Sequence, residues 1–222
     1  MRHLFETDLP QAYGLTKTGI TVDISKHSGR FALYDADRCA GCKTVLKKIC
    51  NRENILIEAK SDVLVACHES YLKQFGEKSL GKGKRCDYFL ADDSDAKSKV
   101  AFCELTCAIE DTIEPNEERK YLPEGKRAKA MKQLEDSVKR FTSKEVSKSY
   151  LSTFPVRHCI FGWRDPFSIN ATAPQKRGDL EANMKIMGMA TSGSETILLQ
   201  KQQIDDMEFV FYQVKYPSIY IW

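Results

Sequence analysis

The chain has 222 residues, 42% of them hydrophobic and 29% charged, and its 34 Lys and Arg against 31 Asp and Glu give a formal net charge of +3 at pH 7. This composition excludes a disordered chain and a membrane-embedded one, and the net charge is too small to imply nucleic acid by itself. Residues 1–12, MRHLFETDLPQA, lack the apolar run of a signal peptide, and no later stretch approaches the roughly 18 apolar residues of a bilayer span. The expectation is a cytoplasmic protein with no membrane partner, built as a single domain over 1–222. In so long a chain without an export signal, the cysteines at 39, 42, 50, 67, 86, 103, 107 and 159 read as reduced thiols rather than a disulfide framework.

In chain order, the short apolar runs Ile20 to Ile24, Phe31 to Tyr34, Ile55 to Ile57 and Val63 to Ala66 predict strands. Val45, Leu46 and Ile49 stand at helical spacing within Cys42 to Cys50. Residues 76–84, GEKSLGKGK, carry three glycines and three lysines and predict a mobile basic loop, which divides an N-terminal elaboration (1–75) from a core (76–222). Arg85 to Ala91 and Lys99 to Cys107, separated by the acidic turn Asp92-Asp93-Ser94-Asp95, predict a hairpin. A long helix follows over 124–148, where Met131, Leu134, Val138 and Phe141 recur at three and four residues and Lys and Arg fill the other side. Val156 to Trp163 and Phe209 to Val214 complete the strands, with a further helix around 179–186. Strand, strand, long helix, strand implies an α/β fold with a mixed sheet.

The chemistry lies in the hairpin. Side chains alternate along a strand, so Asp87 shares a face with Phe89, while Val100, Phe102, Glu104 and Thr106 share a face on the partner. Two carboxylates brought together in an apolar sheet repel unless a cation joins them. Mg²⁺ (or Mn²⁺) suits such a pair because it takes oxygen ligands, keeps waters and supports phosphodiester cleavage.

Asp87 in RCDYFL, Glu104 in AFCELTC and the following helix KAMKQLEDSVKRF resemble the PD-(D/E)XK, or restriction-endonuclease-like, superfamily, in which an Asp early in a hairpin precedes an acid-x-Lys triplet and a helix. The resemblance covers residues 85–163. It implies a restriction-endonuclease-like mixed sheet with flanking helices, and Asp87 and Glu104 as catalytic metal ligands. Thr106 stands where the family has its lysine, so the cation that offsets phosphate charge must come from elsewhere. Lys126, Lys129 and Gln133 lie on one flank of the helical wheel, and Lys129 is the expected catalytic substitute.

Two other arrangements compete. Glu58-Ala59-Lys60 is a literal acid-x-Lys triplet with Asp35 and Asp37 upstream, although no long helix follows it. Cys39, Cys42, Cys50, Cys67 and His68 have zinc-ligand chemistry at irregular spacing, and buried thiols are the favoured reading. Residues 73–85 hold five basic side chains against one acidic, and residues 117–148 hold ten against six. Basic flanks around an acidic centre suit a polyanion, with Lys82, Lys84, Arg85, Lys126 and Gln133 as the expected nucleic-acid contacts. The sequence therefore predicts a Mg²⁺-dependent nuclease acting on nucleic acid. The alternative is a catalytically degenerate subunit of the same fold that binds nucleic acid, a protein partner or a second copy.

Overall fold

The computed structural model describes residues 1–15, 19–35, 53–76, 79–165 and 196–222. The fold is α/β. Among the described residues, eight strands form one mixed sheet in the order β1-β2-β3-β4-β5-β7-β6, with β8 on β2. They are β1 (Ile24–Leu33), β2 (Ile55–Cys67), β3 (Tyr88–Asp92), β4 (Lys99–Cys107), β5 (Val156–Arg164), β6 (Thr196–Ile204), β7 (Met207–Lys215) and β8 (Ile219–Ile221). From β1 to β4 the pairing is antiparallel, whereas β4, β5 and β7 run parallel. Parallel neighbours need a long crossover. Between β4 and β5 it is supplied by two helices, α3 (Gly125–Thr142) and α4 (Glu145–Ser152). A short α1 (Leu9–Ala12) lies near the N-terminus, and α2 (His68–Lys73) directly follows β2.

The helices gather on one face of the sheet. Ala130, Leu134, Val138 and Phe141, spaced by four, four and three residues, form the buried stripe of α3. Phe141 stacks on Phe89 with centroids 5.2 Å apart and meets Phe102 edge-on at 5.2 Å. Burial of each large apolar side chain here stabilises the fold by roughly 1.5–3 kcal/mol. Leu4, Phe5 and Leu9 join the same core, so residues 1–75 supply two strands of this sheet and part of the cluster beneath α3.

No described helix covers the second face. Leu33, Ile55, Ile57, Tyr88, Ala101, Cys103, Leu105, Ile160 and Tyr220 form its core, which makes the first half of β2 and β8 its cover. Gly162 of β5 shows how closely they approach. A Cβ there would lie 3.2 Å from Cβ of Ile55 and 2.7 Å from Cδ2 of Leu105, although β2 and β5 are not neighbours in the sheet.

Several predicted boundaries are corrected. The runs Ile55 to Ile57 and Val63 to Ala66 belong to one continuous strand, and Phe31 to Leu33 ends β1. Ile20 and Val22 are buried, but regular strand begins only at Ile24. β4 spans Lys99–Cys107 as predicted, while β3 starts at Tyr88 rather than Arg85 because the residues before it are drawn onto α3. The long helix breaks after Thr142. Lys144 has extended backbone (φ −124°, ψ 130°), and the hydroxyls of Ser143 and Ser147 take the carbonyls of Arg140 and Phe141 at 2.9 and 2.5 Å. Such side-chain bonds compete with helical ones. The helices expected at 42–50 and 179–186 lie outside the described residues. No described helix is long and apolar enough to cross a membrane.

Candidate active site at the β3–β4 hairpin

Asp87 immediately precedes β3, and extending the register from Tyr88↔Cys103 sets it opposite Glu104. Phe89, Phe102 and Val100 lie in the core beneath α3, so by alternation both carboxylates project to the helix face. The hairpin is interior to the sheet, not a wet edge, and Glu104 is only 8% exposed. Because β3 pairing stops at Cys103, the N–H of Leu105 has no strand partner on that side. It donates to Oδ2 of Asp87 at 2.6 Å.

Glu104 is held by α3. Nε2 of Gln133 donates to its Oε1 at 2.6 Å, and the other carboxylate oxygen, Oε2, is buried without a hydrogen-bond partner. Burial pushes the Glu104 carboxyl well above the usual carboxylate range. The charges of Asp87, Asp35 and Glu69 push the same way, and the Lys129 ammonium opposes them. A buried carboxyl with an unsatisfied oxygen, crowded by other carboxylates, favours a cation. The donor set also fits a hard ion that takes oxygen ligands and completes its shell with water. Among the described residues no three His, Cys, Asp or Glu side chains assemble as a metal-binding group.

α3 organises more than Glu104. Gln133, Ser137 and Arg140 stand at i, i+4 and i+7, one stripe of the helix. Nε2 of Gln133 also donates to the Arg85 carbonyl at 3.0 Å, and Oγ of Ser137 accepts from the Cys86 N–H at 2.9 Å. Nη2 of Arg140 donates to the carbonyls of Lys82 and Lys84 at 2.7 and 2.9 Å. The strand-leading segment is thus fastened to the helix, which corrects the expectation of a mobile loop for its described part. On the other side α2 receives it: the N–H groups of His68 and Glu69 donate to the Asp87 carbonyl at 2.8 and 3.1 Å.

The sequence-predicted residues distribute unevenly around this pair. Gln133 touches Glu104. Lys129 lies one turn before Gln133 on α3, is exposed, and acts on Glu104 through its charge. Lys126 lies half-buried in the first turn of α3, Lys82 and Lys84 are exposed, and half-buried Arg85 donates to the Gly81 carbonyl at 3.3 Å. Thr106 is half-buried in register with Trp163.

Among the described residues the competing sites are present only in part. Glu58 and Lys60 are exposed on β2, with Glu58 paired to Arg30 and Ile221. Asp35 binds Asn54 through its backbone, while its charge acts on Glu104, and Asp37 lies outside the described residues. Of the zinc candidates, Cys39, Cys42 and Cys50 also lie outside them. Cys67, Cys86, Cys103 and Cys159 are free thiols. His68 is fully buried with Nδ1 3.2 Å from the Cys86 carbonyl, and burial followed by the Arg140 charge lowers its pKa to about 3. Burial also raises the Cys86 thiol far above its usual range, so the two form a neutral pair rather than a thiolate–imidazolium nucleophile.

Ser137 and Arg140 are anchoring positions for the segment before β3 that sequence reasoning missed. Their signal was the seven-residue polar stripe beginning at Gln133 on the flank of an otherwise lysine-rich helix. No protein-family model, curated protein or solved structure matches the chain.

Proposed function

We propose that this chain is a divalent-metal-dependent nuclease of restriction-endonuclease-like fold, with Asp87 and Glu104 as the protein ligands of Mg²⁺ or Mn²⁺. The observation that carries the reading is Glu104: an interior carboxyl, facing Asp87, with one oxygen fixed by Gln133 and the other unsatisfied. An ion held by Asp87 and Glu104 would supply a water of lowered pKa and stabilise charge developing on the phosphate. Gln133 fixes the direction of Glu104, and the Leu105 N–H does the same for Asp87. Lys129 takes the electrophilic role for which Thr106 has no charge, and Lys82, Lys84, Arg85 and Lys126 bind the flanking phosphates.

The test is incubation of the protein with single-stranded and duplex DNA and RNA in Mg²⁺ or Mn²⁺. Cleavage is expected in the wild type and its loss in Asp87→Asn and Glu104→Gln, each keeping the wild-type circular dichroism. Cleavage that persists in both variants contradicts the assignment. Thr106 favours a second reading, a degenerate binding subunit, for which the wild type cleaves none of these substrates while still retaining one of them or a protein partner.

A further inference from the structure

We propose that Arg140 is the positioning residue of a phosphate-binding loop, residues 81–85, which α3 holds in fixed relation to Asp87 and Glu104. The inference rests on the nuclease reading and deepens it, since that reading requires a phosphate-bearing strand to lie across the metal pair.

The loop reads Gly-Lys-Gly-Lys-Arg. Arg140 lies beneath it at 8% exposure, and its Nη2 gathers the carbonyls of both Lys82 and Lys84. Both carbonyls are therefore turned inward, and the side chains of Lys82 and Lys84 are exposed. Gly83 between them has φ +86°, a left-handed conformation that a side chain would strain, and its Cβ position lies 3.7 Å from Arg140 Nη2. The reversal between the two lysines is thus built around the guanidinium.

Charge gives the loop its ligand. Arg140 forms no ion pair among the described residues, its Nη1 is buried with no hydrogen-bond partner, and burial lowers its pKa. Asp136, one turn away on α3, acts on it through charge alone. A buried guanidinium without a bonded carboxylate is under-compensated, and the loop whose carbonyls it holds carries exposed Lys82 and Lys84 and half-buried Arg85. Four cations around a glycine-bearing turn attract a compact dianion or a phosphodiester. The placement follows from the stripe on α3. Gln133 binds the last residue of the loop and Glu104 with the same nitrogen, so a phosphate seated at 82–84 keeps a constant offset from the metal ligands.

Two probes separate this claim from the nuclease reading. The first is a fluorescein-labelled oligonucleotide titrated by anisotropy in EDTA across a salt series. Lys82→Ala/Lys84→Ala is expected to reduce the slope of log K against log salt by roughly 1.5, each lost phosphate contact removing about 0.7 to 0.9. Arg140→Met is expected to reduce it as well, although Arg140 reaches no solvent through Nη1, and Arg140→Lys to fall between. The double lysine variant alters only exposed side chains, so it carries the test if Arg140→Met fails to fold.

The second probe is inorganic phosphate, followed at the amides of residues 81–85 by nuclear magnetic resonance against chloride at equal ionic strength. Saturable shifts that vanish in Lys82→Ala/Lys84→Ala are expected. Oligonucleotide binding with an unchanged slope in the double variant, or phosphate shifts that survive it, overturns the loop assignment and leaves the nuclease reading standing. Phosphate shifts at the loop, with no oligonucleotide bound by the wild type, support the phosphate site and overturn the nuclease reading.

Discussion

Gln133 and Glu104 are joined by a 2.6 Å hydrogen bond from a single amide nitrogen that also reaches the Arg85 carbonyl. One side chain of α3 thus fixes a carboxylate of β4 and the chain leading into β3. Gln133→Leu leaves two acceptors without their donor, at a cost of roughly 1–3 kcal/mol each. Chemical denaturation should show a loss in that range, and metal-dependent cleavage should fall through kcat rather than KM. An unchanged denaturation midpoint would mean that the bond does not hold the site.

Lys129 and Thr106 make a reciprocal pair for mutagenesis. If Lys129 provides the missing cation, Lys129→Ala lowers kcat by about 10²-fold, the scale of one lost charge-stabilising donor. Lys132→Ala, on an exposed position three residues along the helix, should not. Thr106→Lys, which restores the cation two residues after Glu104 on the same strand face, should recover activity in the Lys129→Ala background. Equal rates for Lys129→Ala and Lys132→Ala would remove Lys129 from the mechanism.

The second face of the sheet is tested at Gly162. A methyl group there lies against Ile55 and Leu105, so Gly162→Ala should destabilise by about 1–3 kcal/mol, as overpacked cores do. Leu105→Ala in the same background, which removes the Cδ2 lying 2.7 Å from the added methyl group, should relieve part of that loss. Additive losses would show that the Leu105 side chain does not rest on Gly162.

His158 governs part of the pH dependence. Burial, then the Lys99 charge, lowers its pKa to about 4 from the usual 6.5, so it is neutral in the fold and takes a proton on unfolding. Its contribution is fully present above about pH 6.5 and falls away toward pH 4, a change of up to about 3 kcal/mol. At Asp92 burial pushes the carboxyl up, but hydrogen bonds from Ser98 and Ser94 outweigh it and hold it far below the usual range. Stability from Asp92 is present above the ordinary carboxylate range and lost only in stronger acid. The change in denaturation midpoint from pH 6.5 to 4 should therefore differ between the wild type and His158→Gln, with the wild type losing more stability as the pH falls; equal changes in the two proteins contradict it.

Legibility in the sequence followed the strength of local patterning. β4 was readable to the residue because KVAFCELTC is apolar and β-branched between polar turns, and Gln133 was placed on the right flank by the 3.6-residue period. β2 was split in two because Glu58 to Asp62 is mostly polar where the strand passes from β8 to β3 as its neighbour. β6 was missed because TILLQKQQI is an edge strand exposed along most of its length and carries little alternation. Arg140 was counted as a solvated cation, since nothing local distinguishes a buried arginine. Its partners are the carbonyls of Lys82 and Lys84, more than fifty residues away.

The most direct test of the central claim is a crystal of the full chain grown with Mn²⁺ and measured at a wavelength where manganese scatters anomalously. The account predicts one peak within coordination distance, roughly 2.0–2.3 Å, of carboxylate oxygens from both Asp87 and Glu104, including Oε2 of Glu104. The peak should disappear in Glu104→Gln. Crystals at saturating Mn²⁺ with no peak between these carboxylates, or with the ion bound elsewhere in the protein, would contradict the assignment.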